Sequence, residues 1–210
     1  GAACSVAAIP VVPGESARER ILSILRAEDG EIAEAVYELV LLGRDATPVL
    51  LEALAGDNAG ARQHAARMLG RFGDATVLPA LRAALLATDD RLFYAACAPA
   101  LADIDAGHAA DALVESLGRV PIHGGGDARV DVLTELGDPR VVQYLRDVLD
   151  DPSLRVRAAT RLAQLGDVSS IPRILAIWRS QDPAPWNDEP FLRLMETQDD
   201  RVLAEAISIL

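Results

Sequence analysis

Few side chains in this sequence have the types that do chemistry, and their spacing decides what they could do. The 210-residue chain holds three histidines, His64, His108 and His123, and two cysteines, Cys4 and Cys97. A zinc or nucleophile site needs such groups at ligand or triad spacing, and here they stand far apart. Paired carboxylates at Asp89-Asp90, Asp150-Asp151 and Asp199-Asp200 could serve acid/base work, but all three fall at turns, where adjacent acids are solvated caps. No Gly-x-Ser-x-Gly, phosphate loop or dinucleotide fingerprint occurs, so no catalytic residue, cofactor or metal is expected. Cys97 sits in an apolar helical stretch and reads as a small buried hydrophobe. What remains is arginine. Within residues 154–179, Arg155, Arg157, Arg161, Arg173 and Arg179 face Asp167 alone, and Arg157 and Arg161 share one helix face. They either pair with acids of neighbouring repeats or receive an acidic partner.

Composition limits the partner. There are 32 acids against 20 basic residues, all arginine, a net charge of −12. Such a balance opposes non-specific binding to nucleic acid or an anionic membrane. Charge is uneven: residues 1–118 carry 9 Arg and 17 acids, residues 119–179 carry 9 and 8, and residues 180–210 carry 2 and 7. No apolar run reaches the roughly 18–20 residues of a membrane span. Aromatics are 4% of the chain, so its core is built from Ala, Leu, Val and Ile, which favours an all-α protein. The lysine-free usage looks like a GC-rich coding bias.

The elements that position these residues recur. A turn acid appears at Asp45, Asp74, Asp105, Asp138, Asp167 and Asp199, at spacings of 29, 31, 33, 29 and 32 residues. Ahead of the turn, Ala61, Ala65, Leu69 and Phe72 share a helical face, and Gly73, Gly137 and Gly166 can take the left-handed conformation that stops a helix. Thr47-Pro48 and Asp138-Pro139 read as N-cap followed by first-turn proline. Ser16 with Glu19 reads as a capping box. Each unit is therefore two short antiparallel helices, and one pair cannot bury its apolar stripes alone. The expected fold is all-α, an α-α superhelix (solenoid) of about six helix-pair repeats over residues 16–210.

Residues 1–15 differ. They are small, apolar and proline-containing, and read as a flexible leader or a processed signal remnant. Ala2-Ala3-Cys4 resembles the end of a bacterial lipoprotein signal, which makes Cys4 a candidate lipid anchor and export the alternative to a cytoplasmic location. The repeat breaks at Arg119–Asp127, a loop with His123 and three glycines that is either a flexible connection or a partner-binding or phosphate-cradling loop. Arg129 then stands where a small core residue should be. It breaks again at Ser180–Glu189, where Trp186 either caps the core or anchors a partner, and in the apolar C-terminal helix from Asp200.

Arg62, Ala65, Ala66, Leu69, Gly73 and Asp74, and again Arg155, Ala158, Ala159, Leu162, Gly166 and Asp167, carry a pattern that resembles the short HEAT-like repeats of phycobilisome lyase subunits and bacterial adapters. The resemblance covers residues 30–180 best. It implies a protein–protein interaction scaffold that uses the inner surface of the repeats. Repeat position then points to Arg62, Tyr94, Arg155, Arg157 and Arg161, together with His123, as partner-binding residues, and to Arg62 and Arg155 as members of an inter-repeat arginine–acid ladder. The same resemblance implies an alternative, a lyase-type subunit that acts with a partner on a tetrapyrrole-carrying protein. Alkylated-base DNA glycosylases share such repeats, but the net charge and sparse aromatics oppose DNA binding. A binding role without cofactor is expected in preference to an enzymatic one.

Overall fold

The computed structural model describes residues 17–26, 43–122, 127–180 and 189–209. The leader with Cys4, Ser16, His123 and Trp186 lies outside the described residues. Within them the protein is helical, with no strand. The chain divides into two compact units, Gly1–Val120 and Pro121–Leu210.

The first unit holds α1 (Ala17–Arg26), α2 (Thr47–Ala55), α3 (Ala59–Phe72), α4 (Leu78–Leu86), α5 (Arg91–Ile104) and α6 (Ala106–Arg119). Side-chain caps start the helices where the chain enters in an extended conformation. Asn58 accepts from Ala61 N–H at 2.8 Å, Asp90 from Leu92 N–H at 2.9 Å, and Asp105 from His108 N–H at 2.8 Å. Gly73, at φ 63°, stops α3 in the left-handed region. The Thr47-Pro48 start differs from expectation. Ala46 occupies the cap position at φ −79° and ψ −14°, already helical, because a 3-10 turn (Gly43–Ala46) runs straight into α2. Thr47 is thus inside the helix, and its hydroxyl is buried without a hydrogen-bond partner among the described residues.

Small residues let α3 and α5 meet closely. Ala65, Ala66, Cys97 and Ala98 are fully buried. A Cβ placed on Gly70 would come within 2.6 Å of Ala100 Cα and Cβ, so only glycine fits there. Arg62 adds a cation–π contact, its guanidinium 4.7 Å from the Phe93 ring centre. Arg18 pairs with Glu52 between α1 and α2, and Arg82 with Glu115 between α4 and α6 at 2.6 Å.

The second unit holds α7 (Ala128–Glu135), α8 (Pro139–Asp147), α9 (Arg155–Gln164), α10 (Ile171–Arg179), α11 (Glu189–Met195) and α12 (Asp200–Ile209). Its stops and starts repeat those of the first. Gly137 and Gly166 sit at φ 68° and 66°. Asp138, extended at ψ 116°, caps α8 ahead of Pro139. Ala158, Ala159 and Leu162 are buried as Ala65, Ala66 and Leu69 are in the first unit. Trp178 is fully buried and meets Phe191 edge-on, with ring centres 6.3 Å apart. The last helix buries Val202 and leaves Ile207 73% exposed, so one of its faces docks and another stays open.

An arginine–acid ladder exists, but on other residues than expected. Arg146 pairs with Asp167 and Arg173 with Asp150, each pair reaching past α9 in sequence, and Arg201 pairs with Asp199 at the start of α12. Arg62 instead covers an aromatic ring, and Arg155 makes no ion pair among the described residues.

Candidate binding groove in the second unit

The site is built from the cap of α7. Asp127 is extended at φ −119° and ψ 109°, and its Oδ1 accepts the Arg129 backbone N–H at 3.0 Å. The same carboxylate accepts Nε of Arg129 at 3.0 Å and Nη2 at 2.7 Å. This bidentate pair is buried, Arg129 at 0% exposure. It explains how an arginine occupies a small-residue position: its charge enters the core already neutralised. Nη2 of Arg129 also reaches the Pro121 carbonyl at 3.5 Å, and Ile122 N–H donates to the Tyr144 hydroxyl at 3.1 Å. The entry segment 121–122 is thereby held by both α7 and α8. Burial pushes the Tyr144 hydroxyl above its ordinary pKa.

The opposite wall is α9. Its inner face is Ala158, Ala159, Leu162 and Ala163, all buried. Helical periodicity turns Val156, Arg157, Thr160 and Arg161 the other way. Between this face and the α7 side lies a groove of about 310 Å³ with Ile122, Val130 and Val156 as its apolar walls. Arg157 and Arg161 both line it. Arg161 is held, with Nη2 2.9 Å from Asp131 Oδ1 and Nη1 donating to Gln164 Oε1 at 3.1 Å. A second hollow of about 260 Å³, floored by Asp131, Thr134 and Glu135, opens on the far side of Arg161. Burial raises the Asp131 carboxyl above its ordinary range, with Arg161 opposing and Asp127 and Glu135 adding to the rise. Arg157 is exposed and makes no ion pair among the described residues.

The six residues singled out by sequence divide. The helix α9 brings Arg155, Arg157 and Arg161 together, and Arg157 and Arg161 reach the groove. Arg62 and Tyr94 lie in the first unit and hold its core. Tyr94 is 1% exposed, with its hydroxyl donating to the Thr88 carbonyl at 2.6 Å, so it is a core residue and not a surface contact. His123 lies outside the described residues. Sequence reasoning missed Ile122, Val130 and Val156. It registered Arg129 as a misfit, and the acid two residues earlier was the available signal of its partner.

The first unit has a hollow of its own, about 360 Å³, between Leu78, Pro79, Leu101, Arg82, Asp105 and His108. Its polar side chains already have internal partners. His108 Nδ1 is 3.0 Å from Asp105 Oδ1, and Arg82 is held by Glu115. The His108 backbone N–H, followed by its side chain, holds the Asp105 carboxyl below the usual range. Among the described residues, no group of three or more His, Cys, Asp or Glu side chains could hold a metal ion. No described helix is long and apolar enough to cross a membrane.

The family of HEAT repeats matches residues 47–121. No curated protein matches the sequence. The structure of the complex of CpcE and CpcF of phycocyanin lyase from Nostoc sp. PCC7120 is similar at 21% identity and a TM-score of 0.44, over 98% of this chain and 100% of that one. Residues 47–121 thus match the family of HEAT repeats, and a similar helix-pair pattern of glycine stops and aspartate caps continues in the second unit.

Proposed function

We propose that the chain is a non-catalytic scaffold that binds another protein, and that the groove beside α9 is part of its recognition surface. One observation carries this reading. An apolar-walled groove is lined by a guanidinium, that of Arg157, which has no ion-pair partner among the described residues. Elsewhere in the same unit, Arg129, Arg140, Arg146, Arg161, Arg173 and Arg201 each meet an internal acid. A cation without an ion pair among the described residues, beside apolar surface, is the composition of a contact anchor rather than of a fold-holding pair.

The test is affinity capture from the source organism's lysate with wild-type and R157E chains. The expected result is one protein retained near equal stoichiometry by wild type and lost by R157E, with the melting temperature unchanged. Retention that ignores R157E contradicts the groove assignment. Reversal at Arg161 is the poorer probe, because a glutamate there would face Asp131. If the retained species carries a tetrapyrrole and its visible absorbance moves on binding, a lyase-type subunit replaces the scaffold.

A further inference from the structure

We infer that the groove receives an apolar side chain next to a carboxylate, from an acidic segment of a partner protein. This rests on the scaffold reading above and names its occupant. Three observations lead to it.

The first is size. About 310 Å³ is at the lower end of the roughly 300–1,000 Å³ of sites that enclose a drug-sized ligand. The space suits one or two side chains. Its walls, Ile122 and Val130 buried and Val156 half-buried, favour an apolar one.

The second is the supply of donors and acceptors. The Thr160 hydroxyl donates to the Val156 carbonyl at 2.9 Å, so its proton is spent within α9. Asp127 is occupied by both the backbone and the guanidinium of Arg129. Arg161 is occupied by Asp131 and Gln164. The Arg157 guanidinium is the charged donor left to a ligand among the described groove residues, and it fits an anion with two coplanar oxygens.

The third is charge. Arg129 is matched by Asp127 and Arg161 by Asp131, which leaves Arg157 as the groove-lining guanidinium without an ion pair among the described residues. One carboxylate balances it. Residues 119–179 carry 9 Arg against 8 acids in a chain of net charge −12, so an acidic segment meets least repulsion here.

The experiment uses the full ¹⁵N-labelled chain, with amide and arginine Nε–Hε resonances read during titration. The probes are Ac-Gly-Leu-Asp-Gly-NH2, its asparagine analogue, its Gly-for-Leu analogue and inorganic phosphate. The aspartate peptide is expected to shift Arg157 Nε–Hε and the Thr160 amide saturably, and both analogues to bind at least about tenfold more weakly. R157Q is expected to weaken the aspartate peptide about tenfold or more while leaving the rest of the spectrum in place. Four results each overturn the inference: equal binding of the asparagine analogue, undiminished binding to R157Q, tighter binding of phosphate than of the peptide, or no saturable shift by about 10 mM peptide. If the peptide fails while R157E still releases the captured protein, the acidic occupant falls and the scaffold stands. If the peptide binds at Arg157 while R157E retains the captured protein, the groove's chemistry stands and its role in that assembly falls.

Discussion

Removing the charge of Asp127 should cost the second unit far more than a surface substitution. Its carboxylate is buried against Arg129, which has no exposure at all. Breaking one side of such a pair leaves the other charge desolvated and unmatched, at about 3–5 kcal/mol. D127N keeps an oxygen to cap α7, so it isolates the charge from the roughly 1 kcal/mol of the cap. With a urea m-value of about 2 kcal/mol/M, a loss of about 3–4 kcal/mol lowers the unfolding midpoint by about 1.5–2 M. Both tryptophans, Trp178 and Trp186, fall in residues 121–210, so tryptophan fluorescence reads this unit. R129M should cost a similar amount, and D127N/R129M much less than the sum, with a coupling of about 2 kcal/mol or more. Single variants that each cost under about 1 kcal/mol, or that add without coupling, refute the account of the buried pair.

Other consequences are as direct. G70A forces a Cβ to within 2.6 Å of Ala100 and should destabilise the first unit by about 1–3 kcal/mol, read as faster hydrogen exchange in α3 and α5; unchanged exchange contradicts the close approach. Burial pushes the Cys97 thiol up to about 12, so in a C4S background it should resist disulfide reagents at pH 8 until the protein is denatured; labelling at the rate of a free thiol refutes its burial. The hydrogen bond from Arg201 lowers the Asp199 carboxyl to about 2, so its contribution is in place above the ordinary aspartate range and is lost as pH falls towards 2. Carbon-13 titration of Asp199 should show that low midpoint, whereas a midpoint in the ordinary range means the pair does not form in solution.

What the sequence made legible is local. The Gly73, Gly137 and Gly166 stops and the Asp138 cap depend on a few neighbouring residues, and each forms as the spacing implies. The Thr47-Pro48 start failed for a local reason too: the 3-10 turn ahead of it removes the extended residue that a cap requires. Tyr94 and Arg62 show where local reasoning ends. Whether a long side chain at a repeat position faces water or a neighbouring helix depends on the gap that helix leaves, and Gly70, Ala98 and Ala100 bring α3 and α5 close. The groove is less legible still. Arg157 and Arg161 share a face by helical spacing alone, but Ile122, Val130 and Val156 come from three separate segments and meet only in the fold. Arg129 is visible as a misfit and Asp127 two residues earlier as its available partner, but that both are buried shows only in the fold.

In the proposed function, a partner protein contacts the groove beside α9. Hydrogen exchange of the chain, alone and saturated with the captured partner, tests it most directly. Contact at the groove gives added protection in the α7 segment around Val130 and along Arg155–Gln164, absent from the R157E chain. Protection confined to the first unit, with these segments exchanging as in the free chain, would contradict it.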